Sequence, residues 1–286
     1  MRTYEIVDRK NLVVGEGPLW DDRNHCVLYI DFLGGVIRKL DWETGKVSQI
    51  DLGFNPGCIA LTDNDDLLVS APDHIRRLHP DGTSEQISKP FELKGIRFND
   101  GKVGPDGRFY IGTKCAPGET ASAFYRMDYD GTLTMLFDGV ALSNGLAWNA
   151  AGDTMYYCDT PTLCLDAFDF DKVTGTLSNR RTIMQVPTEG RFDGMTIDAE
   201  DNLWVAVWGG SCALHIDPRR GEVIETAPLP VEKVACCGVA GDEMDHLIIT
   251  TAAYQVDLEK EPEAGYTYTS PLKMPGVKAD RFGVPR

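Results

Sequence analysis

A glycine-centred motif recurs along this chain and constrains its fold more than any other feature of the sequence. The motif's glycines, each followed by a short apolar segment, are Gly17, Gly57, Gly101, Gly145, Gly194 and Gly238. Successive glycines lie 40, 44, 44, 49 and 44 residues apart. This period is typical of the four-stranded blades of a β-propeller, so the repeat predicts six blades.

Each period also carries the features of consecutive hairpins. A turn rich in Asp, Asn and Gly, such as residues 105–107, follows the apolar segment, and a second strand such as residues 203–205 follows the turn. A third strand of alternating polarity, such as residues 36–40, comes next, and a further turn leads to a fourth strand. Helical periodicity does not extend over any useful length.

The pattern therefore predicts an all-β fold, a six-bladed β-propeller with four-stranded blades around a central channel, in which residues 1–286 form one domain. A parallel β-solenoid or a pair of sandwiches would not give four strands per period with hairpin turns. The sixth blade is the weakest copy, with its third strand expected near residues 265–268. Its fourth strand could come from residues 3–7 or from the C-terminal tail, and either would close the ring.

The charge of the chain limits its partners. Acidic residues outnumber basic ones by 44 to 28, which gives a net charge of −16, so we expect neither nucleic acid nor membrane partners. The first ten residues lack the apolar run of a signal peptide, and the eight cysteines are scattered through apolar strands. These features predict a cytoplasmic protein. They leave the oligomeric state open between a monomer and a weak homodimer.

The residue that precedes each repeat glycine should lie at an equivalent place around the channel. These residues are Glu16, Pro56, Asp100, Asn144, Asp193 and Cys237. Three carboxylates in one confined space need raised pKa values or a neutralising cation, and oxygen ligands favour calcium, magnesium or manganese. The alternative is a water-filled channel that tolerates solvated acids.

Four motifs carry a resemblance to a known family. They are Gly-Glu-Gly-Pro at residues 15–18, Arg-Phe-Asn-Asp-Gly at 97–101, Ser-Asn-Gly-Leu-Ala at 143–147 and Asp-Gly-Met at 193–195. In this order they resemble the gluconolactonase/regucalcin (senescence marker protein) family. The resemblance implies a lactonase that opens a sugar lactone with one divalent metal ion. Calcium is the first expectation for this ion, and zinc, manganese, magnesium or ferrous iron are alternatives.

The resemblance also implies roles for individual residues. It places Glu16, Asn144 and Asp193 as metal ligands. It places Arg97 and Asn99 against the substrate, and Glu119, on a looser match, as a further substrate-binding acid. The chain departs from the family at Lys114, where members carry Met, so a cationic side chain is expected at the rim of the pocket.

These expectations lead to a hypothesis for the chemistry. Asp193 would act as general base toward a water that attacks a metal-polarised carbonyl. No Gly-x-Ser-x-Gly motif is present, and none of the five histidines falls in the channel motifs, so serine or histidine catalysis is disfavoured. Three alternatives remain open, namely a metal-dependent phosphotriesterase or aryl esterase, a non-catalytic calcium-binding propeller, and a protein-binding propeller.

Overall fold

Short antiparallel strands account for nearly all regular secondary structure in the computed structural model, which describes residues 2–91 and 95–286. Within these residues there are 24 strands and one 3-10 helix, at Thr160–Thr162, and no α-helix. The strands are β1 (Glu5–Asp8), β2 (Gly15–Asp21), β3 (Cys26–Asp31), β4 (Val36–Asp41), β5 (Val47–Asp51), β6 (Ile59–Leu61), β7 (Leu67–Ser70), β8 (Ile75–Leu78), β9 (Ser84–Gln86), β10 (Arg97–Val103), β11 (Phe109–Lys114), β12 (Ser122–Met127), β13 (Leu133–Val140), β14 (Ser143–Trp148), β15 (Thr154–Asp159), β16 (Cys164–Asp171), β17 (Thr176–Gln185), β18 (Arg191–Ile197), β19 (Leu203–Trp208), β20 (Cys212–Asp217), β21 (Glu222–Pro228), β22 (Val234–Ala240), β23 (His246–Thr251) and β24 (Thr267–Pro271).

The strands form six sheets of four, and in five of these sheets the four strands follow one another along the chain. The sheet orders are β2-β3-β4-β5, β6-β7-β8-β9, β10-β11-β12-β13, β14-β15-β16-β17, β18-β19-β20-β21 and β22-β23-β24-β1. The first-named strands of neighbouring sheets contact one another and form the wall of the central channel. We call these the innermost strands, and the sheets blades one to six. The predicted six-bladed β-propeller is confirmed.

The N-terminal strand closes the ring. Strand β1 pairs antiparallel with β24, with Glu5 opposite Thr269, so it is the outermost strand of blade six. Of the two segments considered for this place, residues 3–7 supply it and the C-terminal tail does not. Asp8, at the end of β1, also accepts hydrogen bonds from the Tyr29 hydroxyl and the Arg38 guanidinium, both at 2.8 Å. These bonds tie the closing strand to blade one.

Apolar side chains fill the space between adjacent blades. One buried cluster joins residues of blades four and five, including Cys158, Leu165 and Val207, and another joins blades five and six around Trp204 and Tyr268. Burial of one such side chain stabilises the fold by roughly 1.5–3 kcal/mol. All eight cysteines are free, as expected, and seven of them are buried. No helix among the described residues has the length and apolar character needed to cross a membrane.

Four of the six repeat glycines lie where neighbouring innermost strands approach closely. A Cβ atom at Gly57 would lie 2.6 Å from the carbonyl oxygen of Asn99 in the next blade. Cβ atoms at Gly145, Gly194 and Gly238 would likewise collide with atoms of the following blade. Gly17 differs, because it has a positive φ of 56° and a Cβ added there would meet no atom within 4 Å. Five of the six innermost strands begin before their glycine, and β6 begins after its own.

The C-terminal tail, residues 272–286, covers one end of the channel. It forms isolated bridges from Gly276 to Asp198 and from Phe282 to Thr62, each just beyond the end of an innermost strand. Residues 277–280 line a channel cavity of about 100 Å³ together with residues of all six innermost strands. The tail thus lies at the end where these strands finish, and the starts of the strands face the opposite mouth.

We expect Gly238→Ala to lower the free energy of unfolding by about 1–3 kcal/mol, because the new Cβ would press on the Pro18 carbonyl of blade one. Urea denaturation would measure the change. Gly53→Ala is the matched control, since Gly53 has a positive φ of 74° but a Cβ added there would meet no atom within 4 Å. A loss no greater at Gly238 than at Gly53 would show that crowding does not explain the repeat.

Candidate active site in the channel

Irregular pairing in the innermost strands places the predicted site residues. The register with the second strand of the blade shifts between Glu16 and Leu19, between Phe98 and Gly101, between Asn144 and Leu146, and between Phe192 and Met195. These bulges contain or adjoin the predicted residues of blades one, three, four and five. A bulge interrupts the alternation of side chains along a strand and re-aims them. Local backbone irregularity therefore directs polar groups toward the channel.

Two aspartates hold the chain segments that lead into the site. The Asp31 carboxylate accepts the backbone amides of residues 13–14 at 2.9 and 3.1 Å. The Asp159 carboxylate accepts those of residues 141–142 at 3.1 and 2.9 Å. In both blades the predicted metal ligand lies two residues further along the chain. Both aspartates are buried, so these charge-assisted bonds fix the backbone beside the ligands firmly.

A chain of hydrogen bonds joins blades three, four and five at the site. The Asn99 amide nitrogen donates to Asn144 Oδ1 at 3.1 Å and to the Ser143 carbonyl at 2.7 Å. The Asn144 amide nitrogen donates to Thr160 Oγ1 at 2.8 Å, and this hydroxyl donates to the Phe192 carbonyl at 3.0 Å. Because Asn144 uses its nitrogen toward Thr160, its amide oxygen is the atom available at the site.

Acidic groups from three blades interact strongly in the channel. Burial and the nearby carboxylates of Asp193 and Asp100 raise the pKa of Glu16 well above its usual range. Burial and the carboxylate of Asp100 do the same to the pKa of Asp193, and burial raises the pKa of Asp100. Lys114 opposes the shifts of Glu16 and Asp193, and Lys102 opposes that of Asp100. The site therefore disfavours three free negative charges, which protons or a cation would neutralise.

The donor set fits a divalent ion. Asp193 Oδ1 is buried without a hydrogen-bond partner, and the carboxylate of Glu16 lies close enough to interact with it. Asn144 is tied to the strand of Asp193 through Thr160. An unpaired buried carboxylate oxygen is costly unless a cation or proton satisfies it. No group of three or more His, Cys, Asp or Glu side chains in metal-binding arrangement occurs within residues 2–91 and 95–286. The predicted set contains only two carboxylates, and its third member is an amide.

Arg97 and Lys114 lie side by side next to this site. They face each other across strands β10 and β11, and both contact Phe32 from blade one. The Arg97 guanidinium lies 3.6 Å from the centroid of the Phe32 ring, and the Lys114 ammonium lies 5.4 Å from it. Burial lowers the pKa of Arg97 to about 10, and burial followed by the charge of Arg97 lowers the pKa of Lys114.

Glu119 is not brought together with the other predicted residues. It lies in the exposed connection between β11 and β12, where its backbone amide donates to Ala116 O and its carbonyl accepts from Cys115 Sγ, both at 3.1 Å. Its carboxylate contacts none of the described site residues. A role for Glu119 in substrate binding stays a prediction.

Sequence reasoning did not identify Phe32 or Thr160 as site residues. Each follows a buried aspartate at the end of a second strand, in Tyr-Ile-Asp-Phe at residues 29–32 and Tyr-Cys-Asp-Thr at residues 157–160. Alignment of the second strands of blades one and four would have revealed the shared aspartate. It would also have marked the next residue as one that reaches the channel mouth.

Comparison with known proteins adds to this geometry. The chain is 36% identical over 278 residues to a Bacillus subtilis protein named "Putative sugar lactone lactonase YvrE", covering 94% of this chain and 95% of that protein. It is 35% identical over 274 residues to regucalcin of Danio rerio, covering 92% of each. Among solved structures, a luciferin-regenerating enzyme shares 27% identity with a TM-score of 0.94, covering 99% of this chain and 100% of that one.

The similarity extends to a defined protein family. Residues 14–253 match its model, which spans the innermost strands of all six blades and includes every residue of the predicted site. The four motifs identified in the sequence therefore belong to a fold-wide relationship. This chain is a member of the SMP-30/gluconolactonase/LRE-like family.

Proposed function

We propose that the protein is a metal-dependent hydrolase that opens a sugar lactone to the aldonic acid. The observation that carries this proposal is the pair of neighbouring acidic groups Glu16 and Asp193, whose pKa values are both raised, together with a buried Asp193 oxygen that has no hydrogen-bond partner. The family and its lactonase-named relative support lactone hydrolysis in general. The metal ion, its ligands and the mechanism are our inference from the residues.

Glu16, Asn144 and Asp193 would hold the ion, with calcium as the first expectation for a set of hard oxygen donors. When bound, a divalent ion would supply polarisation of the lactone carbonyl and a lowered pKa for a water molecule. Asp193 would accept the proton of the attacking water. It would return this proton to the ring oxygen as the acyl C–O bond breaks, which leaves a carboxylic acid and a hydroxyl group.

Two further residues would orient the sugar. Asn99 uses its amide nitrogen toward Ser143 and Asn144, which leaves its carbonyl oxygen to accept a sugar hydroxyl. Arg97 has a buried guanidinium nitrogen without a partner and would donate to oxygen atoms of the substrate. Such bonds select a hydroxyl-rich ring, because an analogue that lacks the hydroxyls would leave these groups unpaired.

A second candidate is a calcium-binding protein without turnover. The several relatives named regucalcin and the hard oxygen donors of the site favour it. Proton release from aldonolactones by chelator-treated protein, with divalent ions added back one at a time, would separate the two. Metal-restored hydrolysis above the spontaneous rate supports the lactonase. Metal binding without turnover of any lactone, or of an aryl ester included as control, supports the second candidate.

Asp193→Asn should lower kcat for the best lactone by at least about 100-fold, because the variant lacks the general base. Stopped-flow proton release measures kcat, and calorimetry verifies that the ion still binds. The matched control is Asp63→Asn, at an exposed position away from the channel. Wild-type turnover by the Asp193 variant would remove this residue from the mechanism.

Glu16→Gln should weaken the binding of the divalent ion by about tenfold or more, because one anionic oxygen ligand becomes a neutral amide. Titration calorimetry with calcium, magnesium, manganese and zinc measures the change. Glu43→Gln, at an exposed turn, should bind each ion as the wild type does. Equal affinity of the Glu16 variant for every ion would refute the ligand assignment.

The raised pKa of Asp193 predicts a pH-dependent effect on stability in chelated protein. A carboxyl group whose folded-state pKa is raised contributes stability below its unfolded pKa of about 4, and this contribution is lost as pH rises through the folded-state pKa. Chelated Asp193→Asn should therefore be as stable as the chelated wild type near pH 4 and more stable at pH 8.

Urea denaturation at both pH values tests this prediction. An excess of calcium at pH 8 should stabilise the wild type more than the variant, because the variant has lost an anionic ligand and binds the ion less tightly. If the chelated variant were less stable than the chelated wild type at pH 8, the ionised Asp193 carboxylate would not destabilise the fold and the prediction would be wrong.

A further inference from the structure

Two cations face each other at the mouth of the site, and this arrangement does not stabilise the fold. Arg97 and Lys114 are directly opposite in the antiparallel pair of β10 and β11. Like charges at such positions destabilise a sheet, whereas opposite charges stabilise it. Both side chains are only partly exposed, so water screens their repulsion incompletely. Because the repulsion between Arg97 and Lys114 lowers the stability of the sheet, the pair points to a role in binding.

The polar ends of both side chains remain available. Arg97 makes one long hydrogen bond, from Nε to the Phe98 carbonyl at 3.4 Å, and one of its buried terminal nitrogens has no partner. Among residues 2–91 and 95–286, Lys114 forms neither a hydrogen bond nor an ion pair, although other basic residues such as Arg38 and Arg108 do. Both cations rest on the face of Phe32, which holds them in place without using their N–H donors.

The charges around the pair also leave it unbalanced. The nearest acidic influences on Lys114 are Asp193 and Glu16. In the proposed function these two carboxylates bind a divalent ion, and they then no longer serve as counter-charges for the pair. In a chain with a net charge of −16, this is a local region of positive charge beside the reacting centre.

We propose that Lys114 and Arg97 together bind an anionic substituent of the substrate, so that the preferred lactone carries a second acidic group, a carboxylate or a phosphate, beyond its ring ester. This inference rests on the proposed lactonase function and specifies its substrate class. A guanidinium and an ammonium side by side offer several donors to the oxygens of one such anion. Water adds across the ring acyl C–O bond as before, and the anionic substituent is unchanged by the reaction.

The test compares kcat/KM of the metal-loaded protein for gluconolactone, for a glucarolactone and for 6-phosphogluconolactone. We expect at least one anionic lactone to exceed the neutral one by about tenfold or more. Lys114→Met should reduce this ratio by about 10- to 100-fold, the loss of one hydrogen bond to a charged group, and Lys114→Arg should restore most of it. Lys46→Met, at an exposed turn, should leave the ratio unchanged.

The two anionic lactones identify the source of the charge, and a preference for either supports the inference. A ratio near one in the wild type, or a ratio that does not change in Lys114→Met, overturns it while the lactonase function stands. If no lactone is hydrolysed, the proposed function fails separately. Calorimetric binding of glucarate against gluconate to wild type and Lys114→Met then decides the inference, and equal affinities in all four titrations would refute it.

Discussion

The close approach of the innermost strands is the constraint on which the rest of this structure depends. In four of the six blades the repeat glycine lacks a side chain that would otherwise collide with the next blade, as the contacts of Gly57 with Asn99 and of Gly145 with Asp193 illustrate. The same approach brings the residues beside these glycines together from distant parts of the sequence. The close approach of the innermost strands thus makes the ring compact and also concentrates polar groups near its axis.

That concentration has an electrostatic cost that the protein offsets in two ways. Burial raises the pKa values of Glu16, Asp100 and Asp193, and repulsion between neighbouring carboxylates adds to the shifts of Glu16 and Asp193. Lys102 and Lys114 oppose these shifts, and a bound divalent ion would oppose them more strongly. Hydrogen bonds from Asn99 through Thr160 meanwhile hold the amide of Asn144 in one orientation. The site is organised before any ligand arrives, which reduces the reorganisation that binding and catalysis require.

The sequence was sufficient for the architecture because a period of about 44 residues and repeated turn chemistry are properties of single blades. It could not decide how blade six closes, since the pairing of β1 with β24 depends on contact between the two ends of the chain. The place of Glu16, Asn144 and Asp193 beside repeat glycines predicted only that they line the channel. Their role as metal ligands, like the roles of Arg97 and Asn99, came from family resemblance and stays a prediction. Phe32 and Thr160 were missed because their roles arise from contacts across blades. Glu119 lies in an exposed connection where the match to the family is looser, and there the resemblance gives least guidance.

The two ends of the channel are chemically different, and this difference bears on which substrates can enter. The tail covers the end where the innermost strands finish, and Asp280 and Arg286 form a two-point ion pair there at 2.7 and 3.0 Å. The starts of the strands carry the oxygen-rich site, with Arg97 and Lys114 beside it. In the proposed function, a substrate that enters at this mouth would meet the cations and the carboxylates within one small region. The cations would then bind the charged end of the sugar, and the ester at its other end would react. Binding energy from the remote charged substituent can thus orient the carbonyl that reacts.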